Sequence, residues 1–186
     1  MNRILGIVVS PLRTWSEIAR EPTRAPVLIA TLFGLCLLPA MAIAIGLNFF
    51  DSTWSVIHGY RPVGPPLTIA ATNFVLALLT VLLLAAIFHW LAVPAGKPRK
   101  AFIAALNVAV YGTAPTLLAG ALLVLPVMVV VMLLAGFHSL YLLSAGLQQV
   151  LDVNDNESAM LLAGCIVLLS IAGGLIGALG SAIGLI

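Results

Sequence analysis

Charge is what this chain lacks. Its 186 residues include eight Lys and Arg and six Asp and Glu, 8% of the total, where an ordinary soluble domain carries about 25%. So few ionised side chains cannot clothe a globule of this size in water. A soluble enzyme, a nucleic-acid-binding module and a disordered chain are thereby excluded, and the net charge of +2 points to no nucleic-acid partner. Cysteine is scarce too. Cys36 and Cys165 both lie inside apolar runs; they make no disulfide framework and read as small buried apolar residues. No Ser-His-Asp arrangement, CxxC, HExxH or Gly-rich phosphate loop occurs, and no aspartates are paired inside an apolar run. The stretch 152–157 opens like a calcium loop, with Asp152, Asn154 and Asn156 alternating. It then places Glu157 where glycine is needed and Ala163 where a bidentate glutamate is needed. The expectation is a non-enzymatic chain with no cofactor, no metal and no catalytic residue.

Apolar residues are what is present. They make up 62% of the chain, about 115 residues, enough for roughly five bilayer crossings at about 20 residues each. The fold class read from this is all-α: a polytopic membrane protein with five transmembrane helices. Residues 1–24 form a cytoplasmic amphipathic segment and 25–186 a single five-helix domain, with spans at about 26–48, 67–93, 102–122, 127–149 and 159–184. The third and fourth spans are split by geometry. The 51 residues between Lys100 and Asp152 hold no Asp, Glu, Lys or Arg and would make a helix of about 77 Å, against a hydrocarbon core of about 30 Å. The chain must fold back, and 120–126 is the best turn. Ala40-Met41-Ala42 resembles a signal-peptide cleavage site, but the apolar run continues through Ile45, so the first run reads as a retained span. Pro39 is expected to kink it. A polar segment with Trp54, Tyr60 and Pro62 follows at 51–66 and suits the membrane interface.

Segment 1–24 is read as an interfacial helix that starts at Ser10-Pro11. Leu12, Trp15, Ile18 and Ala19 share a face, with Pro11 and Trp15 as interfacial anchors. Four arginines lie in this segment (Arg3, Arg13, Arg20, Arg24), and Lys97, Arg99 and Lys100 lie in one later loop. With the N-terminus cytoplasmic, seven of the eight basic residues fall inside and Arg61 alone outside. The positive-inside rule then puts the C-terminus on the opposite side of the membrane, which is read as the cell inner membrane.

Polar groups at membrane depth are the default functional hints. Asn107, Tyr111 and Thr113, followed by Pro115, lie on the third span. His138 and Tyr141 lie three apart on the fourth. Since a short turn joins these spans, the six residues are expected to form one intramembrane polar cluster. It reads either as a proton or ion path with His138 titrating, or as a structural hydrogen-bond group near the backbone freed by Pro115. In the fifth span Gly173, Gly177, Gly180, Ser181 and Gly184 repeat small residues four apart, a helix-packing seam. It serves packing inside the bundle, a homodimer, or another membrane protein.

Certain residues carry a family resemblance over nearly the whole chain. The opening Pro11-Leu-Arg-Thr-Trp15, the element Tyr111-Gly-Thr-Ala-Pro115, and His138-Ser-Leu-Tyr-Leu-Leu-Ser-Ala-Gly146 leading into a polar loop, with five spans and an inner N-terminus, resemble the Yip family (Ypt/Rab-interacting proteins), in its bacterial branch. Val110 stands where the family has Gly before the tyrosine, and the Asp-Leu-Tyr-Gly-Pro motif of eukaryotic members is absent. That absence weighs against their binding of prenylated small GTPases. The resemblance implies fold and membrane location, with the lipid bilayer as the constant partner. The functional reading is a scaffold that organises membrane or binds a partner. The alternative is a small channel, transporter or lipid-translocating protein using the cluster between the third and fourth spans.

Overall fold

The computed structural model describes residues 3–58, 65–92 and 100–182, with side chains for all of these except 51–58, Pro126, Leu169 and 171–182. Every element among the described residues is helical. Two short helices come first, α1 (Arg3–Val9) and α2 (Pro11–Arg20). They are parted at Ser10 because Pro11, at the first position of α2, can accept no helix continuing into it. The expected helix start at Ser10-Pro11 is there, and a further helix, α1, precedes it. The Ser10 N–H reaches back to the Gly6 carbonyl at 2.8 Å and closes α1.

Among the described residues, four helices are long and apolar enough to cross a membrane: Ala25–Phe50, Pro66–Leu91, Phe102–Val124 and Val129–Leu151. They match the first four expected spans to within a few residues. The first belongs to α3 (Ala25–His58), whose helical dihedrals run on through Pro39 and lapse at Phe50 (φ −131°, ψ 29°). The polar stretch after Phe50 is therefore helical over 51–58 before the chain leaves the described residues. Next comes α4 (Pro66–Leu91), then α5 (Phe102–Ala119). The expected turn is there: two short 3-10 segments, Gly120–Val124 and Pro126–Met128, flank an extended Leu125. After it run α6 (Val129–Leu151) and α7 (Asp155–Ala182).

The reversal between α6 and α7 is made by Asp152, the one non-glycine residue with a left-handed backbone (φ 58°) among those described. Aspartate tolerates that region better than most side chains. The carboxylate also meets Lys100 Nζ at 3.0 Å, so the start of α5 and the end of α6 lie at the same end of the bundle. Asp155 and Glu157 occupy the first turn of α7, where the helix dipole favours acids. Ser158, buried, donates to the Asp155 carbonyl at 2.8 Å and lies 3.2 Å from the Ser144 hydroxyl.

Helix α5 is the spine. Eleven of its 18 residues are buried, and it packs on α3, α4 and α6. Glycine makes the closest approaches possible. A Cβ on Gly112 would lie 2.8 Å from Leu143 Cγ, and one on Gly146 would lie 2.9 Å from Trp15 Cζ2. The outward faces are apolar: α4 exposes Leu67, Leu79 and Leu83, and α6 exposes Leu133, Leu134 and Phe137. That surface suits a hydrocarbon solvent.

Overpacking typically costs about 1–3 kcal/mol. Gly112→Ala and Gly146→Ala should each lower resistance to detergent-driven unfolding by that order. Gly136→Ala, which meets nothing within 4 Å, should leave the unfolding curve unchanged.

Candidate functional site

Pro22 begins the site. The residue before a proline is pushed out of the helical region, and Glu21 sits at φ −136°, ψ 88°. The chain therefore runs extended from Glu21 to the start of α3, and Thr23 has no helix to use its backbone groups. It is buried all the same. Asn107 on α5 supplies what is missing. Its Oδ1 accepts the Thr23 N–H at 3.1 Å, and its Nδ2 donates to the Thr23 carbonyl at 3.4 Å and to the Ile103 carbonyl at 2.8 Å. One amide side chain thus stands in for a neighbouring strand. The Thr23 hydroxyl lies 3.0 Å from the Tyr111 hydroxyl and accepts from Arg3 Nη1 at 2.6 Å. Three residues, Arg3 of α1 and Asn107 and Tyr111 of α5, are thus joined around one threonine.

The expected six-residue cluster is divided. Asn107 and Tyr111 face the N-terminal segment, through Thr23. Thr113 donates to its own helix, to the Ala109 carbonyl at 2.8 Å. Pro115 is buried in α5 and lacks the N–H that would bond the Tyr111 carbonyl one turn back. The side chain bonded to the helix just past it is neither His138 nor Tyr141. It is Ser139, whose hydroxyl accepts from the Thr116 N–H at 3.2 Å and from the Thr116 hydroxyl at 2.8 Å. His138 and Tyr141 pair with each other, their ring centroids 6.2 Å apart, on a side where Tyr141 is 50% exposed.

Trp15 is fully buried within the protein, in the notch left by Gly146 and against Val108. Its Nε1 has no partner among the described residues. Pro11 opens α2 at its first position and is partly exposed. The buried stripe of α2 is Thr14, Trp15 and Ile18, while Leu12 and Ala19 face outward. Of the α7 seam, Gly173, Gly177, Gly180 and Ser181 lie on described helical backbone, but their surroundings, and Gly184 altogether, fall outside the described residues.

Two concavities open at this end of the bundle. A cavity of about 400 Å³ is bounded by α1, the extended link and the start of α3, with Arg3, Thr23, Arg24, Val27, Thr31 and Tyr111 in its walls. A cleft of about 540 Å³ separates the end of α4 from the start of α7; its walls, including Ile87, Leu91, Met160 and Cys165, are mainly apolar. Thr23, Arg3, Arg24 and Ser139 were not singled out as site residues from the sequence. The signal for Thr23 was present in Pro22, which forbids a helix and leaves its neighbour's backbone in need of a partner.

A family model described as the Yip1 domain matches residues 5–177, and the chain belongs to that family. No curated protein and no solved structure matches it.

Leaving a buried polar group without its partner costs about 1–3 kcal/mol. Asn107→Leu orphans both backbone groups of Thr23. Hydrogen exchange in residues 3–24 should then rise by roughly tenfold or more, while exchange in α4 stays as it was.

Proposed function

We propose that this member of the Yip1-domain family is a non-enzymatic, five-span protein of a bacterial inner membrane that organises lipid or holds a membrane partner, its N-terminal segment lying along the cytoplasmic interface. The observation that carries the reading is how its polar side chains at depth are used. Asn107, Tyr111, Thr116 and Ser139 are occupied in joining one part of the chain to another. The cavity that reaches Tyr111 has its remaining walls on α1, the link and the first turns of α3, and does not include His138. A conduction path needs polar groups that face a lumen and each other. The groups here are bonded to side chains and backbone of neighbouring elements.

The topology draws on three supports. Helix α7 has 28 residues, about 42 Å of helix, longer than the hydrocarbon core. Seven of the eight Lys and Arg fall on the N-terminal side. Leu5, Val8, Val9 and Leu12 are exposed at helical spacing on α1 and the start of α2, an apolar edge that suits insertion among headgroups and acyl chains. These residues, with Pro11 beside them, are the interfacial contacts of this reading, and Trp15 instead fixes the segment to the bundle. The small residues from Gly173 to Gly184 offer α7 as the face for a further helix, of a second copy or a partner.

Purified protein reconstituted in liposomes should move neither protons nor labelled lipid faster than empty vesicles. A flux that vanishes in Tyr111→Phe would establish the transport reading in place of the scaffold. In a background lacking Cys36 and Cys165, a membrane-impermeant thiol reagent should label Ser16→Cys and Ile186→Cys from opposite sides. Labelling from one side would refute five spans.

A further inference from the structure

The cavity beneath α1 has a composition of its own. Arg3 is half-buried and held by its bond to the Thr23 hydroxyl, which is itself fixed by Tyr111. Arg24 is in the same wall; its carbonyl accepts the Leu28 N–H at 3.0 Å, and its guanidinium makes no ion pair or hydrogen bond among the described residues. Glu21 is also in the wall, unpaired with either arginine there, so the two guanidiniums leave one net positive charge. The Thr31 and Tyr111 hydroxyls complete the polar surface, while Ile4 and Val27 supply an apolar side. Val27 is 56% exposed on the outer face of α3. The cavity therefore opens toward the surface that would meet lipid, not toward the middle of the bundle. Its 400 Å³ is within the usual range for small-ligand sites.

We propose that this cavity binds the phosphate of an anionic glycerophospholipid headgroup, chemistry shared with free phosphate, with Arg3 and Arg24 as the two cationic contacts and the acyl chains passing outward along Val27. A guanidinium fork matches phosphate oxygens in geometry and charge. Arg3 is already oriented by Thr23, so little of its freedom remains to be lost on binding. The apolar wall next to the charges is what a lipid adds to a bare anion. The proposal rests on the interfacial placement of the N-terminal segment, which would set the cavity at headgroup depth.

The test is native mass spectrometry of the full chain from neutral detergent, titrated with phosphatidylglycerol. Arg24→Gln, which removes no described contact, should weaken phosphatidylglycerol binding at least tenfold. Arg3→Gln should do the same, provided that circular dichroism and thermal unfolding stay as in the parent. Arg13→Gln/Arg20→Gln, which lowers charge on the outer side of α2, should leave the affinity unchanged. Equal loss in that variant, or no loss in Arg24→Gln, would overturn the site in favour of diffuse attraction. Inorganic phosphate should compete only at far higher concentration than the lipid; equal competition would overturn the lipid as ligand. Depth-dependent quenching of a fluorophore at Ser16→Cys reads the interfacial placement separately. Quenching at headgroup depth with Arg24→Gln unchanged in binding would sink the site and leave the placement standing.

Discussion

A backbone in lipid has no water to fall back on, so every N–H and C=O must be answered by the protein itself. An unbroken helix does this without help. Prolines lie between and inside the helices of this chain, and backbone groups beside two of them are bonded by side chains of other elements. Pro22 opens the link before α3, and the Asn107 amide takes both backbone groups of Thr23. Pro115 sits inside α5, and the Ser139 hydroxyl takes the N–H of Thr116 next to it. Each partner comes from a different element, so each also fastens two elements together. Polar residues that look like a functional constellation in one dimension serve here as the joints of the bundle.

These joints converge on α5. It meets the N-terminal segment through Asn107 and Tyr111, and α6 through Thr116 and Ser139, with Gly112 allowing close contact to Leu143. The N-terminal segment is consequently part of the fold. Trp15 is sunk against Gly146, and α2 covers the C-terminal half of α6, whose residues from Leu142 to Leu151 are largely buried. The same docking hollows out the arginine-lined cavity, so the fastening and the candidate lipid site depend on one another.

Hydropathy made the helices legible. The starts and ends of α4, α5 and α6 follow from apolar runs and from Pro66, the 120–126 turn and Asp152, because lipid imposes a length and tolerates little charge. The family was legible as well, in the Tyr111 to Pro115 element. The partnerships were not. Spacing along a helix says which residues share a face, but not which neighbour that face meets. His138 and Tyr141 do share a face, and it is turned away from Tyr111. Trp15 has the composition of an interface anchor, and only the absence of a side chain at Gly146, far along the chain, makes room to bury it. Thr23 had no apolar periodicity to draw attention to it.

Gly120 and Pro39 are in contact, a Cβ on the first coming within 2.7 Å of the second. The tip of the α5–α6 hairpin is thus nested against α3, with Leu123 packed among Ala42, Ile43 and Leu47. From 101 to 151 the chain holds no Asp, Glu, Lys or Arg. On the proposed topology, delivering this tip to the far leaflet drags no ionised group through the hydrocarbon, a passage that costs about 2.5–3.5 kcal/mol per charged residue on insertion scales. The two helices can enter the bilayer as a closed pair, against an α3 that has already been laid down.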